Sequence, residues 1–525
     1  MILRSFLRQA SQAPAAGPLQ PPAAPCNLLA AVAVRPRRND LVAHPFRPTL
    51  DRVTSSTTDT AAPDIATVGR LRAAGHRYRT VKQELRQNLV DRLRSGRASL
   101  PGMVGLDDTV VPEVERAVLA GHDFVLLGER GQGKTRLMRT LAGLLDEWTP
   151  VIEGSELNEH PFHPITVGSQ ARADELGDQL PVGWLHRSRR YAEKLATPDT
   201  SVGDLIGDVD PTRIAQGRHL GDPETVHYGL LPRGNRGIFG INELPDLAER
   251  IQVGLFNVLE ERDIQIRGYA LRLPLDLLMV ASANPEDYTN RGRIITPLKD
   301  RFGAEIRTHY PADAAADVDL IRQEAGLVAE VPDHLLQVIA RLTQELRGST
   351  SIDQRSGVSA RFSVAAAEAI GAAALRRGAL AGEDDPVARI GDLAPVLATL
   401  RGKLEFEMGE EGREAELLEH LLRMATAGVF RELTRGLDLS GLTERFADDL
   451  IVETGALVPG RQLLEQIGTV RGLSNLLTAV GISEDSVTPG QVAAAVEFAL
   501  EGLFLNRRLS KETAAGPAGT TIYGS

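Results

Sequence analysis

The stretch Gly128-Glu129-Arg130-Gly131-Gln132-Gly133-Lys134-Thr135 decides the fold of this chain. A glycine, four residues, a second glycine, a lysine and a threonine form the spacing of a phosphate-binding loop, or P-loop. The glycines let backbone N–H groups turn toward phosphate oxygens, and a helix that follows presents its positive N-terminal end. Lys134 is predicted to reach the β- and γ-phosphates, and Thr135 to ligate Mg²⁺. All eight residues are therefore predicted to bind nucleotide, with ATP and Mg²⁺ as the ligands.

The residues around the loop supply the strand and helix that a P-loop needs. Phe124–Leu127 is an apolar run too short for a helix, and leucines from Leu137 to Leu145 recur at helical spacing. A plain glycine-rich turn before a helix is the structural alternative, but chance rarely produces the full spacing. Two more apolar runs, Ile238–Ile241 and Leu277–Ala283, end on polar residues. Strands alternating with helices predict an α/β fold, with a parallel sheet covered by helices on both faces.

The second apolar run ends on Asn242 and Glu243. In a P-loop ATPase a neighbouring strand supplies an acid near magnesium and often a glutamate that orients the attacking water. Glu243 is the predicted catalytic base. Asn242 stands where an aspartate is expected, and it is predicted to act at the metal through a bound water without adding charge. We therefore expect slower turnover, weaker Mg²⁺ affinity or loss of hydrolysis; the simpler alternative for the Asn-Glu pair is a polar helix cap.

Composition divides the chain into four predicted regions. Residues 1–70 are rich in Ala, Pro and Arg, which is typical of a disordered tail. An Arg-rich start at Met1–Ala16 leaves a transit peptide as a less favoured alternative. Residues 71–310 form the predicted α/β P-loop domain, 311–400 a helical domain, and 401–525 a further C-terminal helical region.

Periodicity places the predicted helices and two insertions. Helical spacing runs from Val68 to Leu93, at Val110–Ala120, over an Ala-rich segment at Ser363–Leu375 and at Glu410–Leu433. Thr488 followed by Pro489 is a helix start signal. The insertions are a loop-like segment at Ser201–Asn235 and a β-hairpin at Ile264–Leu273.

Charge and composition exclude several classes of protein. The formal charge of −11 and the pI near 5.6 argue against non-specific nucleic-acid binding, which normally needs a basic face. A single cysteine, Cys26, builds neither a disulfide framework nor a cysteine metal site, and the histidines lack metal-ligand spacing. No apolar run approaches the length of a membrane span. We expect a soluble, cytoplasmic protein without a membrane partner.

Five ordered motifs resemble the AAA+ ATPases of the magnesium-chelatase I-subunit and MoxR clade. The resemblance covers about Pro101 to Leu375 and looks like a bacterial branch of that clade. It is carried by the P-loop and by four further segments: Arg236–Leu244 as Walker B, Ala281–Pro285 as the sensor-1 strand, Leu298–Phe302, and Gly357–Arg361.

The resemblance implies roles for three more residues. Asn284 would be the sensor-1 residue that helps to position water, and Arg301 an arginine finger that reaches a neighbouring subunit's γ-phosphate. Arg361 would be the sensor-2 arginine, carried by a helical domain that acts as a lid over the nucleotide. Arg355 lies nearby in the sequence. For Arg301 the structural alternative is a surface arginine in an ion pair. The insertions would be the helix-2 and pre-sensor-1 inserts.

The same resemblance implies a homo-oligomeric ring, expected to be a hexamer, that works with a protein bearing a von Willebrand factor A domain. The leading hypothesis is an ATPase that hydrolyses MgATP and couples it to remodelling of a partner or to metal insertion. The alternatives are a magnesium chelatase subunit proper, and a nucleotide-gated scaffold with weak hydrolysis, which Asn242 favours. An enhancer-binding transcription activator is the least favoured, because no Gly-Ala-Phe-Thr-Gly-Ala loop lies between Pro150 and Gly234.

Overall fold

The computed structural model describes most of the chain after residue 60. The predicted tail up to that residue lies outside the described part, as does Arg355, the neighbour of the sensor-2 candidate. The described residues are 61–209, 226–261, 264–266, 269–271, 273–285, 293–353, 356–446, 450–468, 471–482, 487–513 and 520–524.

The strands of the described part are numbered in chain order. They are β1 (Phe124–Leu127), β2 (Trp148–Ile152), β3 (Val182–His186), β4 (Tyr191–Leu195), β5 (Gly207–Val209), β6 (Val226–Tyr228), β7 (Gly237–Asn242), β8 (Ile264–Ile266), β9 (Tyr269–Leu271), β10 (Leu277–Ala283), β11 (Ala304–Arg307), β12 (Val452–Thr454), β13 (Ser510–Thr513) and β14 (Thr521–Gly524).

The α-helices fall before, between and after these strands. They are α1 (Val68–Ala73), α2 (Val81–Arg94), α3 (Val110–Ala120), α4 (Lys134–Thr140), α5 (Val167–Leu176), α6 (Val202–Leu205), α7 (Leu230–Arg233), α8 (Glu249–Glu261), α9 (Thr296–Arg301), α10 (Ala314–Glu324), α11 (Asp333–Gly348), α12 (Ala360–Ala381), α13 (Leu393–Leu400), α14 (Glu414–Leu433), α15 (Ser440–Phe446), α16 (Gly460–Ile467), α17 (Leu473–Ala479) and α18 (Pro489–Leu505).

A five-stranded sheet in the order β11-β1-β10-β7-β4 forms the centre of the α/β part. All four pairings are parallel, which confirms the predicted α/β class. Alternate residues of β1 enter different cores: Phe124 and Leu126 pack with α2, α3 and α4, while Val125 and Leu127 pack with α8. Because both faces are buried, the central strands need unbroken apolar runs. Because β1, β10 and β7 are parallel, their C-terminal ends lie on the same side of the sheet.

The N-terminal helix prediction needs a correction. In place of one helix from Val68 to Leu93, α1 and α2 are separated by seven residues, and Thr80 caps α2 in a capping box with Gln83. The backbone N–H of Val81 donates to Asp276 at 2.9 Å, which fixes the start of α2 against the sheet. The described residues of the predicted tail, 61–70, also form structure, since the Val68 N–H donates to the Leu180 carbonyl at 3.1 Å.

A buried ion pair joins α2 to the edge of the central sheet. Both nitrogens at the tip of the Arg190 side chain donate to the Glu84 carboxylate, at 2.6 and 2.8 Å. Burial raises the pKa of Glu84, but hydrogen bonds and charge from Arg190 outweigh this effect and bring the pKa below its ordinary value. Segment 77–94 is therefore part of the α/β core rather than a leader to it.

The insertions differ from their predictions in detail. Ser201–Asn235 was expected to be loop-like, but its described part contains α6, α7 and the antiparallel strand pair β5–β6. Elements of three or four residues are too short to show periodicity, which explains the error. The hairpin predicted at Ile264–Leu273 is confirmed as β8 and β9. A further module, β2 and β3 with α5 between them, was not predicted.

The chain after Tyr310 is mainly helical and has a shared core. One cluster of buried side chains extends from Val318 to Tyr523, so 311–400 and 401–525 do not have separate cores. The C-terminal region is not purely helical, because β12, β14 and β13 form an antiparallel sheet. Thr488 caps α18 with Pro489 in its first turn, as predicted. Within the described ranges, every helix is too short or too polar to cross a bilayer.

Candidate nucleotide site

The predicted P-loop connects β1 to α4 in the structure. Gly131 and Gly133 have φ of 77° and 78°, a left-handed conformation that glycine adopts without steric penalty. The Lys134 ammonium folds back on the loop, donating to the Gly128 carbonyl and, at 2.8 Å, to the Glu129 carbonyl. The predicted nucleotide-binding residues therefore form one continuous turn ahead of a helix N-terminus.

The side chain of Gln132 braces this turn from inside. Its Oε1 accepts the Glu129 N–H at 3.0 Å and the Thr308 hydroxyl at 2.8 Å. Thr308 follows β11, and its N–H donates to the Leu127 carbonyl at 2.8 Å. Gly128 has no room for a side chain, because a Cβ there would collide with Thr308 and Gln132. The loop is thus held in shape by a residue, Thr308, that sequence reasoning missed.

The two predicted metal-site residues meet at the sheet edge. The Thr135 hydroxyl donates to Oδ1 of Asn242 at 3.0 Å, and the Ser282 hydroxyl donates to the same oxygen at 3.3 Å. These oxygens are hard ligands of the kind that Mg²⁺ accepts, but they carry no charge. In the described residues, no group of three or more His, Cys, Asp or Glu is arranged to hold a metal. The arrangement fits a Mg²⁺ ion that is bound mainly through nucleotide phosphates.

Glu243 follows β7 with a strained backbone. Its φ is 56°, and for a residue other than glycine the left-handed region costs about 1–2 kcal/mol. The Glu243 N–H donates to the Ser282 hydroxyl at 3.3 Å, and a 3-10 turn starts at Leu244. The alternative for the Asn-Glu pair was a polar helix cap, but the Glu243 side chain makes no capping hydrogen bond to this turn. The strain sits at the position predicted for the catalytic base, where such strain is commonly found.

Asn284 lies at the same edge, directly after β10. It is 2% exposed, and β10 pairs with β1 so that Ala283 stands opposite Leu127. The Gly128 N–H donates to the Ala283 carbonyl at 3.1 Å, which ties the first P-loop glycine to the residue before Asn284. The sheet therefore brings the P-loop, Asn242, Glu243 and Asn284 to three adjacent strand ends.

Arg301 lies at the end of α9 and makes contacts within its own chain. Its guanidinium donates to Asp300 at 2.9 Å and to Glu260 at 3.0 Å, and it lies 5.0 Å from the centre of the Phe256 ring. This is the surface ion pair considered as the alternative to an arginine finger. The side chain keeps 35% of its surface exposed.

Arg361 is exposed in the first turn of α12, close to the P-loop. The helix is capped by Ser359, whose hydroxyl accepts the Arg361 N–H at 3.1 Å. Ser359 also contacts Gly131, because a Cβ built on that glycine would lie 2.6 Å from the Ser359 Cβ. The lid helix that carries Arg361 therefore begins against the phosphate-binding turn.

Sequence comparisons add relatives of known identity. The magnesium-chelatase 38 kDa subunit of Cereibacter sphaeroides is 28% identical over 256 residues, covering 47% of this chain and 69% of that protein. The corresponding subunit of Rhodobacter capsulatus is 30% identical over 226 residues, covering 42% and 59%. Magnesium-chelatase subunit ChlI of Anabaena variabilis is 26% identical over 214 residues, covering 40% and 60%.

These relatives are magnesium-chelatase I subunits, which are AAA+ ATPases, and they support the same AAA+ clade for this chain. No family model matches it. The relatives were matched over little more than half of their length in two of these three cases, so their substrates and partners do not transfer with the match. Among solved structures, a cryo-EM-based complex between subunits BchI and BchD of magnesium chelatase has 22% identity and a TM-score of 0.32, covering 62% of this chain and 93% of that chain. That TM-score does not establish a shared fold, so the AAA+ assignment rests on the sequence relatives and the motifs.

Proposed function

We propose that this AAA+ chain binds and hydrolyses MgATP. The observation that carries the proposal is the hydrogen bond between Thr135 and Asn242, 3.0 Å long. This bond supports a proposed magnesium position at Thr135, beside the strand end that carries Glu243. A phosphate-binding turn alone supports binding, whereas a glutamate at the end of β7, on the far side of β10 from β1, supports water activation.

The proposal assigns a role to each residue at the C-terminal ends of β1, β7 and β10. The P-loop N–H groups and Lys134 bind the phosphates, and Thr135 with Asn242 holds the metal. Glu243 accepts a proton from the attacking water, while the Asn284 amide orients it. Mg²⁺ bound with ATP supplies charge neutralisation on the phosphates. Arg361, at the P-loop end of the lid, supplies a second positively charged side chain, beside Lys134, to bind the phosphates.

Hydrolysis is proposed to depend on assembly into a ring, expected to be a hexamer. Arg301 is the finger residue, because its guanidinium is partly exposed on α9, where it pairs with two surface carboxylates and lies over the Phe256 ring. Exposed ion pairs contribute little to stability, so a neighbour's phosphate can replace them. The finger would then stabilise negative charge in the transition state.

The output of hydrolysis is proposed to be remodelling of a protein partner or metal insertion in the cytoplasm, with a von Willebrand factor A protein as partner. The motif resemblance supports this partner. The antiparallel strand pairs β5–β6 and β8–β9 are the proposed helix-2 and pre-sensor-1 contact elements. A magnesium chelatase subunit proper is a special case of the same output.

A second candidate is a nucleotide-gated scaffold that turns over slowly. One observation favours it: the oxygen that Thr135 meets belongs to a neutral amide, Asn242, rather than to a carboxylate. An amide gives the metal-bound water a weaker acceptor, because hydrogen bonds to charged groups are stronger than neutral ones.

Comparison of the wild type with Glu243→Gln separates the two candidates. ATP binding is measured by calorimetry and turnover by phosphate release, with Glu175→Gln, an exposed substitution on α5, as the control. The ATPase proposal expects the wild type and the control to hydrolyse ATP and Glu243→Gln to bind it without turnover. Equal turnover in wild type and Glu243→Gln would reject hydrolysis at this site.

A further inference from the structure

Tyr310 connects the P-loop to the lid. Its hydroxyl donates to the Arg130 carbonyl at 2.8 Å, at the crest of the phosphate-binding turn. Tyr310 lies beyond β11, just before the lid helices begin. None of the five motifs that carried the sequence resemblance includes it.

The ring of the same tyrosine contacts an arginine of the lid. The Arg347 guanidinium lies 4.6 Å from the ring centre, within the range of a cation–π interaction. Arg347 also donates to the Asp317 carboxylate at 2.8 Å, and Asp317 is fully buried. The Arg347 Nε donates to the Val358 carbonyl at 3.2 Å. One guanidinium therefore fixes α10, α11 and the segment before α12 to the tyrosine.

A lid glycine lies against the hydroxyl end of the ring. Gly357 has φ of 65°, and a Cβ built on it would lie 2.6 Å from both the Tyr310 hydroxyl and Oε2 of Glu129. Any side chain at this position would displace the hydroxyl or the P-loop glutamate. The lid backbone at Gly357 therefore packs directly against the P-loop, on the side where Tyr310 makes its hydrogen bond.

Peptide geometry gives the Tyr310 bond a consequence for phosphate binding. The carbonyl of Arg130 and the N–H of Gly131 belong to one planar trans peptide unit, so they point in opposite directions. Because the hydroxyl holds the carbonyl, the Gly131 N–H of the same peptide points away from Tyr310. N–H groups of such a turn are the donors that receive phosphate oxygens.

We propose that Tyr310 is a positioning residue for nucleotide binding, which sets the Arg130–Gly131 peptide of the P-loop and links its orientation to the lid through Arg347. This inference rests on the proposed nucleotide-binding function. Tyr310 does not touch the reacting atoms; it acts through the peptide that its hydroxyl holds.

The test uses the full chain with Tyr310→Phe, which keeps the ring over Arg347 and removes only the hydroxyl. MgADP affinity is measured by calorimetry. Loss of one such hydrogen bond is expected to weaken binding about threefold to tenfold. Because the effect is on binding, kcat/KM should fall while kcat stays within about twofold. The melting temperature without nucleotide should stay within about 4 °C of the wild type, and Tyr228→Phe, on β6, should bind MgADP like the wild type.

A double-variant cycle tests the link to the lid. Arg347→Lys keeps the charge beside Asp317 but loses the planar contact with the ring, and it is expected to weaken MgADP binding as well. If both residues act on one peptide, the loss in the double variant is smaller than the product of the two single losses. A double variant whose loss of affinity equals the product of the two single losses would overturn the inference and leave the proposed function intact. Wild-type affinity in Tyr310→Phe would do the same. A wild type that binds no nucleotide would overturn both.

Discussion

The hydroxyl of Thr135 donates a 3.0 Å hydrogen bond to the amide oxygen of Asn242, joining the P-loop to the strand that precedes Glu243. The contact brings together the two residues predicted to form the metal site. It also shows where the site lacks a charge, because an aspartate would present a carboxylate at the same place. The properties expected of the site follow from this difference.

Replacing Asn242 with aspartate should strengthen metal binding. Hydrogen bonds to a charged acceptor are about 1 kcal/mol stronger than neutral ones, which corresponds to roughly a fivefold lower half-maximal Mg²⁺ concentration. A Mg²⁺ titration of ATPase activity, or of ADP binding where turnover is too slow, measures the change. Ser282→Ala, which removes the other donor to this oxygen, is the comparison variant. An unchanged Mg²⁺ dependence in Asn242→Asp would show that Asn242 does not act at the metal.

Arg301→Ala should abolish assembly-dependent hydrolysis and leave nucleotide binding nearly unchanged. The expected loss is about 10³-fold or more in kcat for an arginine finger. Glu260→Gln removes one of the two intramolecular partners of Arg301, and Arg307→Ala removes an exposed arginine from the neighbouring strand; both should keep their activity. If Glu260→Gln loses as much activity as Arg301→Ala, the arginine acts through its ion pair and not as a finger.

Gly131→Ala should weaken nucleotide binding because of two features at one residue. Its φ of 77° is strained for alanine, and its new Cβ would press on Ser359 at the start of the lid. Strain of about 1–2 kcal/mol corresponds to roughly a tenfold weaker MgADP affinity. Gly143→Ala, beyond α4, is the control, since a Cβ there has its nearest neighbour at 3.7 Å. Equal affinities for the two variants would mean that the turn tolerates a side chain.

His334 should make the helical region sensitive to acid. The ring is 0% exposed on α11 and lies 4.9 Å from the Phe498 ring, and neither nitrogen has a hydrogen-bond partner among the described residues. Burial lowers the pKa of His334 to about 4, and the nearby Asp333 opposes this only in part. The unfolded chain, with a pKa of 6.5, binds the proton more readily than the folded chain. Stability is therefore complete above the unfolded pKa and falls as the pH drops from there toward 4.

The size of this effect follows from the separation of the two pKa values. It amounts to about 3 kcal/mol of the free energy of unfolding between pH 6.5 and pH 4. His334→Leu should lose less stability than the wild type over this range, whatever its stability at neutral pH. His420→Gln, an exposed substitution on α14, should follow the wild type. Denaturant unfolding at a series of pH values measures all three, and parallel curves for wild type and His334→Leu would contradict the prediction.

Sequence reasoning identified the strands whose burial leaves a clear pattern. β1, β7 and β10 are buried on both faces, so they appear as apolar runs, and the polar residues after β7 and β10 mark the site. The edge strand β4 was missed because the charged residues Glu193 and Lys194 interrupt its apolar residues. Glu193 pairs with Arg139 of α4 and accepts the Tyr191 hydroxyl at 2.9 Å. An edge strand needs no unbroken apolar run, so it leaves no such pattern.

The supporting residues of the site were beyond the reach of sequence patterns for a different reason. Thr308 and Tyr310 contact P-loop residues that lie 176 and 180 positions away in sequence, and only the folded sheet creates these contacts. A single polar residue after an unpredicted strand carries no local signal. The motif residues could be found because a fixed spacing encodes their chemistry.

The most direct test of the central claim is the rate of MgATP hydrolysis per subunit across a series of protein concentrations, with Glu243→Gln beside the wild type. An assembled ATPase predicts a rate per subunit that rises with concentration to a plateau, and a loss of about 10²-fold or more in Glu243→Gln at every concentration. A rate that is independent of concentration would contradict the role of assembly. A Glu243→Gln variant as fast as the wild type would contradict hydrolysis at this site altogether.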